Sequence, residues 1–124
     1  MTESIGLDIV ENARIERLFT EHPERFVKRI LGPDELKIFA GRRDQVPFLA
    51  GRFAAKEAII KALGVYLTNR PPYSSLQVLN DKLGQPYVQL DKALSVELSH
   101  IRILISLSHE RNYAVGMAVI TEVP

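Results

Sequence analysis

Cysteine is absent from the 124 residues. That excludes a disulfide framework, a thiolate nucleophile and a zinc–thiolate centre, so any thiol chemistry has to arrive with a substrate. Net charge is nearly absent too: sixteen Lys and Arg stand against fifteen Asp and Glu, +1 at pH 7, and the chain as a whole gives no electrostatic argument for nucleic acid. No apolar run approaches the ~20 residues of a membrane span. The start, Met1 to Ile5, carries Glu3 and lacks the basic and long apolar stretches of a signal peptide. The expectation is a soluble, cytoplasmic protein with no nucleic-acid or membrane partner. Repeats, low-complexity segments and internal linkers are lacking as well, which predicts one domain over residues 1–124. A domain this small hides only roughly two-thirds of its unfolded surface, so self-association is a natural way to cover the remainder.

The periodicities predict an α+β fold. Ser4 to Val10 is an apolar, Ile- and Val-bearing run read as a strand, with Asn12 placed as a helix cap. Ala13 to Glu21 and Glu24 to Leu31 have helical apolar spacing, Gly32-Pro33 ends the second, and Asp34-Glu35 opens another. Pro47 to Leu63 is the longest helical pattern, with Gly64 suited to a left-handed residue after it. Thr68 to Ser75 reads as a loop, and Leu76–Asn80 and Tyr87–Leu90 as strands joined by Asp81 to Pro86. Asp91 caps a short helix to Ser99, and Ile101–Ser108 and Tyr113–Thr121 are strands. A long helix packed on a mostly antiparallel sheet follows.

Projected at 100° per residue, Leu49 to Leu63 is apolar or small nearly all round, so its charges are informative. Glu57 sits at the edge of an apolar surface, one turn before Lys61. Two readings are open: an i, i+4 ion pair worth a few tenths of a kcal/mol, or a carboxylate with a chemical task. Arg52 and Lys56 repel at the same spacing, which a neighbouring carboxylate in the fold or the phosphates of a ligand would offset. Asp8 lies in a strand between Leu7 and Ile9, where Asp is depleted; it either faces solvent at a strand end or binds a metal or hydrogen-bond donor. Gly6 shares its face and leaves room for something large to approach. His109 follows Ser106-Leu107-Ser108 at a strand end and is either a structural hydrogen-bonding group or a catalytic or phosphate-binding one.

Three blocks together carry a resemblance: Gly6-Leu7-Asp8-Ile9 with Arg14 soon after, Arg52-Phe53-Ala54-Ala55-Lys56-Glu57-Ala58 continuing to Lys61-Ala62, and Ser106-Leu107-Ser108-His109. In order, separation and total length the chain resembles the small bacterial holo-acyl-carrier-protein synthases of the 4′-phosphopantetheinyl transferase superfamily. The resemblance implies transfer of the phosphopantetheine arm of coenzyme A to a serine of apo-acyl carrier protein. It implies Mg²⁺ held by Asp8 and Glu57, Lys61 on the coenzyme A phosphates, and Asp8, Glu57 and Lys61 as the catalytic group. It also implies Arg52 and Lys56 in the anionic pocket, a Gly84-Gln85-Pro86 turn beside the adenine, His109 on a phosphate, and a homotrimer with sites between subunits. The chain departs from many relatives at Gln85, where they carry Lys, and at Glu110, where they carry Thr. Val10 stands where larger single-chain relatives place an acid two residues after the aspartate, so on this resemblance a water would have to fill that metal position.

Arg14, Arg17, Arg25, Lys28 and Arg29 crowd the region after the first strand although the chain is nearly neutral. A solvated helix face is one reading; a patch that steers an acidic carrier protein, as the resemblance implies, is the other, with Arg14, Arg17, Arg25 and Lys28 as the docking set. A rival from another class is a non-catalytic basic module for an acidic protein or RNA, against which the lack of an aromatic RNA-reading motif counts.

Overall fold

A helix with almost no polar face has to be surrounded, and the rest of the chain is arranged to surround one. In the computed structural model, which describes residues 2–124, β1 (Thr2–Glu11) leads to α1 (Asn12–Glu21), α2 (Pro23–Ile30), α3 (Pro33–Ala40) and the central α4 (Gln45–Leu63). A 3₁₀ turn at Tyr73–Ser75 then precedes β2 (Leu76–Asn80), β3 (Pro86–Leu90), α5 (Lys92–Glu97), β4 (Ile101–His109) and β5 (Tyr113–Glu122). Met1 lies outside the described residues, so the expectation about the N-terminus is structurally described only from Thr2.

The strands form two antiparallel sheets, β1-β5-β4 and β2-β3, where the sequence suggested one. Helix α4 lies across the three-stranded sheet at very short range. A Cβ on Gly6 would stand 1.9 Å from the Ala58 carbonyl oxygen, and one on Gly116 would stand 2.6 Å from the Ala54 carbonyl. The large group that Gly6 admits is therefore the backbone of α4. The first half of α4 packs with Val10, Ile15, Val27, Ile30 and Leu31 into one core cluster, and its second half with Leu76, Val78, Leu98 and Ile120 into another.

Among the described residues nothing covers the other face of the sheet. Ile5, Leu7 and Ile9 are 64%, 60% and 61% exposed, and Leu7 is paired with Met117 while Ile5 and Leu104 flank Val119. Strand alternation puts them on one surface, an apolar patch of the kind that marks an interface.

Two local expectations are corrected. Gly64 closes α4 at φ −57°, right-handed, with its N–H on the Lys61 carbonyl, and the chain winds on through further turns, so no left-handed cap is needed. Asn12 is the first helical residue rather than the cap; its N–H and side-chain amide donate to the Asn112 and Arg111 carbonyls, pinning the start of α1 to the β4–β5 turn.

Candidate active site

The charges of α4 fall on two flanks, about 140° apart from Arg52 to Glu57 at 100° per residue. On the first flank Asp8 reaches up from β1, and the Lys61 ammonium donates to its Oδ1 at 3.0 Å and to the Leu7 carbonyl at 2.9 Å. Of the two readings of Glu57, the ion pair with Lys61 does not form among the described residues. Glu57 turns instead to the loop before β2, where Arg70 donates to its Oε1 at 2.9 Å and the Tyr73 hydroxyl donates to the same oxygen at 2.5 Å. Burial, then the neighbouring Glu57 carboxylate, push the Tyr73 hydroxyl above its ordinary pKa. The side chains of Asp8 and Glu57 keep 19% and 18% exposure, and that of Lys61 54%, so this cluster stays open to a ligand.

The second flank is closed. Lys56 is wholly buried, and its three ammonium protons match three acceptors: the Ile30 carbonyl at 2.5 Å, Glu35 Oε1 at 2.6 Å and the Tyr73 carbonyl at 3.0 Å. Glu35, equally buried, also accepts from the N–H groups of Gly32 and Val78. The phosphate-binding role expected of Lys56 is thus corrected: no donor is left over, and desolvation pulls its ammonium below the ordinary lysine pKa although Glu35 opposes the shift. Of the two ways to offset the Arg52–Lys56 repulsion, the structure contains the neighbouring carboxylate.

Arg52 has Glu35 at 3.9 Å and lies over the Phe48 ring at 4.3 Å. Its Nη2 donates to Asn80 Oδ1 at 3.1 Å, and the Asn80 amide donates on to the Gly84 carbonyl at 3.0 Å. Its contacts are therefore internal, and through Asn80 it braces the turn expected to meet the adenine. Gly84 adopts φ +85°, the left-handed region that favours glycine, and Asp81 Oδ1 accepts from the N–H groups of Leu83 and Gln85. Pro86 then opens β3. His109 ends β4 with its ring over Gly51, where a Cβ would stand 2.6 Å from Cε1. Glu110 accepts from the Asn112 N–H in the turn that follows.

The structure thus gathers Asp8, Glu57 and Lys61 on one flank. It puts His109 and the Gly84 turn elsewhere, with α4 packed on Gly6 of β1 through Ala58, on Gly116 of β5 through Ala54, and on His109 of β4 through Gly51. Arg14 and Arg17 on α1 and Arg25 and Lys28 on α2 are all exposed. Arg14 lies 5.8 Å from the Phe53 ring, and Arg25 and Arg29 line a small cavity of about 130 Å³ with Leu18, His22 and Phe26. Lys28 instead borders an apolar groove with Phe19, Val27 and Phe39. Sequence reasoning missed Arg70, Tyr73 and Asn80, whose partners on α4 lie 13, 16 and 28 positions away; no periodicity signals such contacts.

Donor chemistry decides which cation suits the first flank. Among the described residues no group of three or more His, Asp or Glu side chains stands together to cage a metal. Two partly open carboxylates fit a hard ion that takes the rest of its shell from phosphate and water oxygens, the habit of Mg²⁺.

With this fold and this carboxylate–lysine cluster, the chain belongs to the 4′-phosphopantetheinyl transferase superfamily, whose family model matches residues 4–118. Within it the similarity is to holo-[acyl-carrier-protein] synthases. The protein of that name from Chlorobium chlorochromatii is 40% identical over 116 residues, 94% of this chain and 98% of the relative. The crystal structure of the Neisseria meningitidis holo-[acyl-carrier-protein] synthase superposes with a TM-score of 0.91 at 36% identity, covering 98% of this chain and 100% of that one. The Bacillus anthracis synthase, solved in complex with CoA (3′,5′-ADP), gives 0.83 at 31% identity, with 99% of both chains covered. The chain is accordingly an enzyme of phosphopantetheine transfer from coenzyme A to an acyl carrier protein. Among the described residues no helix is long and apolar enough to cross a membrane.

Proposed function

We propose that this chain works in the cytoplasm as a single-domain, Mg²⁺-dependent enzyme whose active site is completed only in a homotrimer, with Asp8, Glu57 and Lys61 from one protomer and His109 with the Gly84-Gln85-Pro86 turn from its neighbour. The observation that carries this reading is the split of site residues across α4. Asp8, Lys61 and Glu57 form one open half at the β1 edge, while His109 ends β4 at the opposite edge of the three-stranded sheet and the Gly84 turn is tied to Arg52 on the other flank of α4. The uncovered apolar face of Ile5, Leu7, Ile9 and Leu104 supports association between copies.

In the reaction the carrier serine oxygen attacks the β-phosphorus of coenzyme A. The bond from that phosphorus to the oxygen bridging it to the α-phosphate breaks, adenosine 3′,5′-bisphosphate leaves with the electron pair, and the serine proton is released. Lys61, with its ammonium half exposed, supplies positive charge to the diphosphate. Asp8 and Glu57 would hold Mg²⁺, which when bound neutralises charge on the diphosphate. His109 supplies a further phosphate contact, and the Gly84 turn, braced by Asn80, receives the adenine. Arg14, Arg17 and Arg25, with Lys28 beside them, form a positive surface for the acidic carrier protein, and Arg14 beside Phe53 brings that surface next to the helix bearing Glu57.

Mass spectrometry of an apo-acyl carrier protein incubated with the protein, coenzyme A and Mg²⁺ tests the function. A gain of one phosphopantetheine is expected. An unchanged carrier together with a melting temperature unmoved by coenzyme A and Mg²⁺ would leave the non-catalytic basic module as the better reading.

A further inference from the structure

Glu57 is gripped from one side. Both bonds that it accepts fall on Oε1, from Tyr73 and from Arg70, and among the described residues no hydrogen bond engages Oε2. The two donors differ in how firmly they are themselves held. The Arg70 side chain is 54% exposed on a loop, where screening and entropy weaken such a pair. Tyr73 is 8% exposed and held on all sides: its ring packs 5.7 Å from that of Phe53, its carbonyl accepts from the buried Lys56 ammonium at 3.0 Å, and its hydroxyl accepts from Arg70 at 2.7 Å while donating to Glu57. A phenylalanine would fill the same space, so the hydroxyl serves its polar partners rather than packing, and the one group to which it donates is Glu57. A hydroxyl that donates to a carboxylate makes one of the stronger kinds of hydrogen bond.

We propose that Tyr73 is a positioning residue for Glu57: its hydroxyl locks Oε1 so that Oε2 is the oxygen offered to a divalent cation beside Asp8. This rests on the reading of Glu57 as a metal ligand. It also gives the closed flank of α4 a part in the open one, because the buried Lys56 anchors the backbone from which Tyr73 reaches Glu57. Partners that orient a ligating carboxylate in this way typically change metal affinity by about 10–100-fold when removed.

The test is a Mn²⁺ titration followed by the electron paramagnetic resonance of the free ion, with coenzyme A present and no carrier protein, so that nothing turns over; a protein-free control subtracts Mn²⁺ bound by coenzyme A alone. Tyr73→Phe is expected to weaken Mn²⁺ binding about tenfold. In a Glu57→Gln background the same substitution is expected to change nothing further, because Tyr73 acts through Glu57. Arg70→Gln is expected to stay within about twofold of the unsubstituted protein. Unchanged Mn²⁺ affinity in Glu57→Gln alone would sink the ligand assignment and this inference with it. A loss in Glu57→Gln without one in Tyr73→Phe would overturn only the positioning role. That role is also overturned if Tyr73→Phe weakens binding equally in both backgrounds, as a damaged fold would, or if Arg70→Gln has as large an effect as Tyr73→Phe.

Discussion

Lys56 and Lys61 stand five residues apart on one helix, and their surroundings give them opposite tasks. Lys56 has three acceptors for three protons and no exposure; Lys61 has two and is half in solvent. A charge that is buried and fully matched is committed to the fold, whereas one with a spare donor beside a partly open carboxylate is available to a ligand. The same contrast separates Glu35, sealed among Lys56 and two backbone N–H groups, from Glu57, which has an oxygen to spare.

The largest expected effect lies on the closed flank. Lys56→Met leaves Glu35 buried without its ammonium and should lower unfolding stability by about 3–5 kcal/mol, measured by denaturant titration. Adding Glu35→Gln should recover part of that loss, because the amide removes the stranded charge while its oxygen still accepts from a backbone N–H of Gly32 or Val78. A mild effect of Lys56→Met would show that Glu35 is not stranded, and the contrast would fail.

On the open flank Asp8→Asn and Glu57→Gln should behave the other way round. Each should slow carrier-protein modification by about 100-fold or more, on the order of 3 kcal/mol, while the melting temperature stays nearly unchanged. A large fall in melting temperature in either would move that carboxylate to the structural class. Asn80→Ala removes both bonds that link Arg52 to the Gly84 carbonyl. It should raise the KM for coenzyme A about fivefold, the worth of roughly one hydrogen bond, with kcat little altered. The smallest effect belongs to the exposed cations of α1: Arg14→Glu with Arg17→Glu should raise the KM for carrier protein several-fold at low salt, by about 1 kcal/mol, and the difference should shrink as salt is added. Equal loss of coenzyme A binding would place these residues in the nucleotide pocket.

Local patterning made most of the fold legible. The strand Leu76–Asn80 is found at the bounds its apolar run suggested, and the buried, nearly all-apolar helix is α4. Asp8, Glu57 and Lys61 were legible because each breaks a local rule, a charge where apolar spacing leaves little room for one. Whether Lys56 faces a ligand or the interior was not legible, because Glu35 is 21 residues away and only the docking of α3 on α4 brings them together. Arg70 and Tyr73 were passed over for the same reason: a loop of prolines and serines has no periodicity to say which helix it will touch. Gly64 was misread because a glycine after a helix permits a left-handed turn without requiring one.

The most direct test of a site shared across subunits is co-refolding of Asp8→Asn and His109→Ala proteins. Each is expected to be impaired alone, and the two lesions lie on opposite edge strands of the sheet, β1 and β4. If the two halves come from different protomers, mixed trimers contain some interfaces in which an unaltered Asp8 meets an unaltered His109, and carrier-protein modification returns in part. Mixed trimers no more active than their parents, with His109→Ala clearly defective by itself, would mean that one chain holds the whole site and would contradict the account.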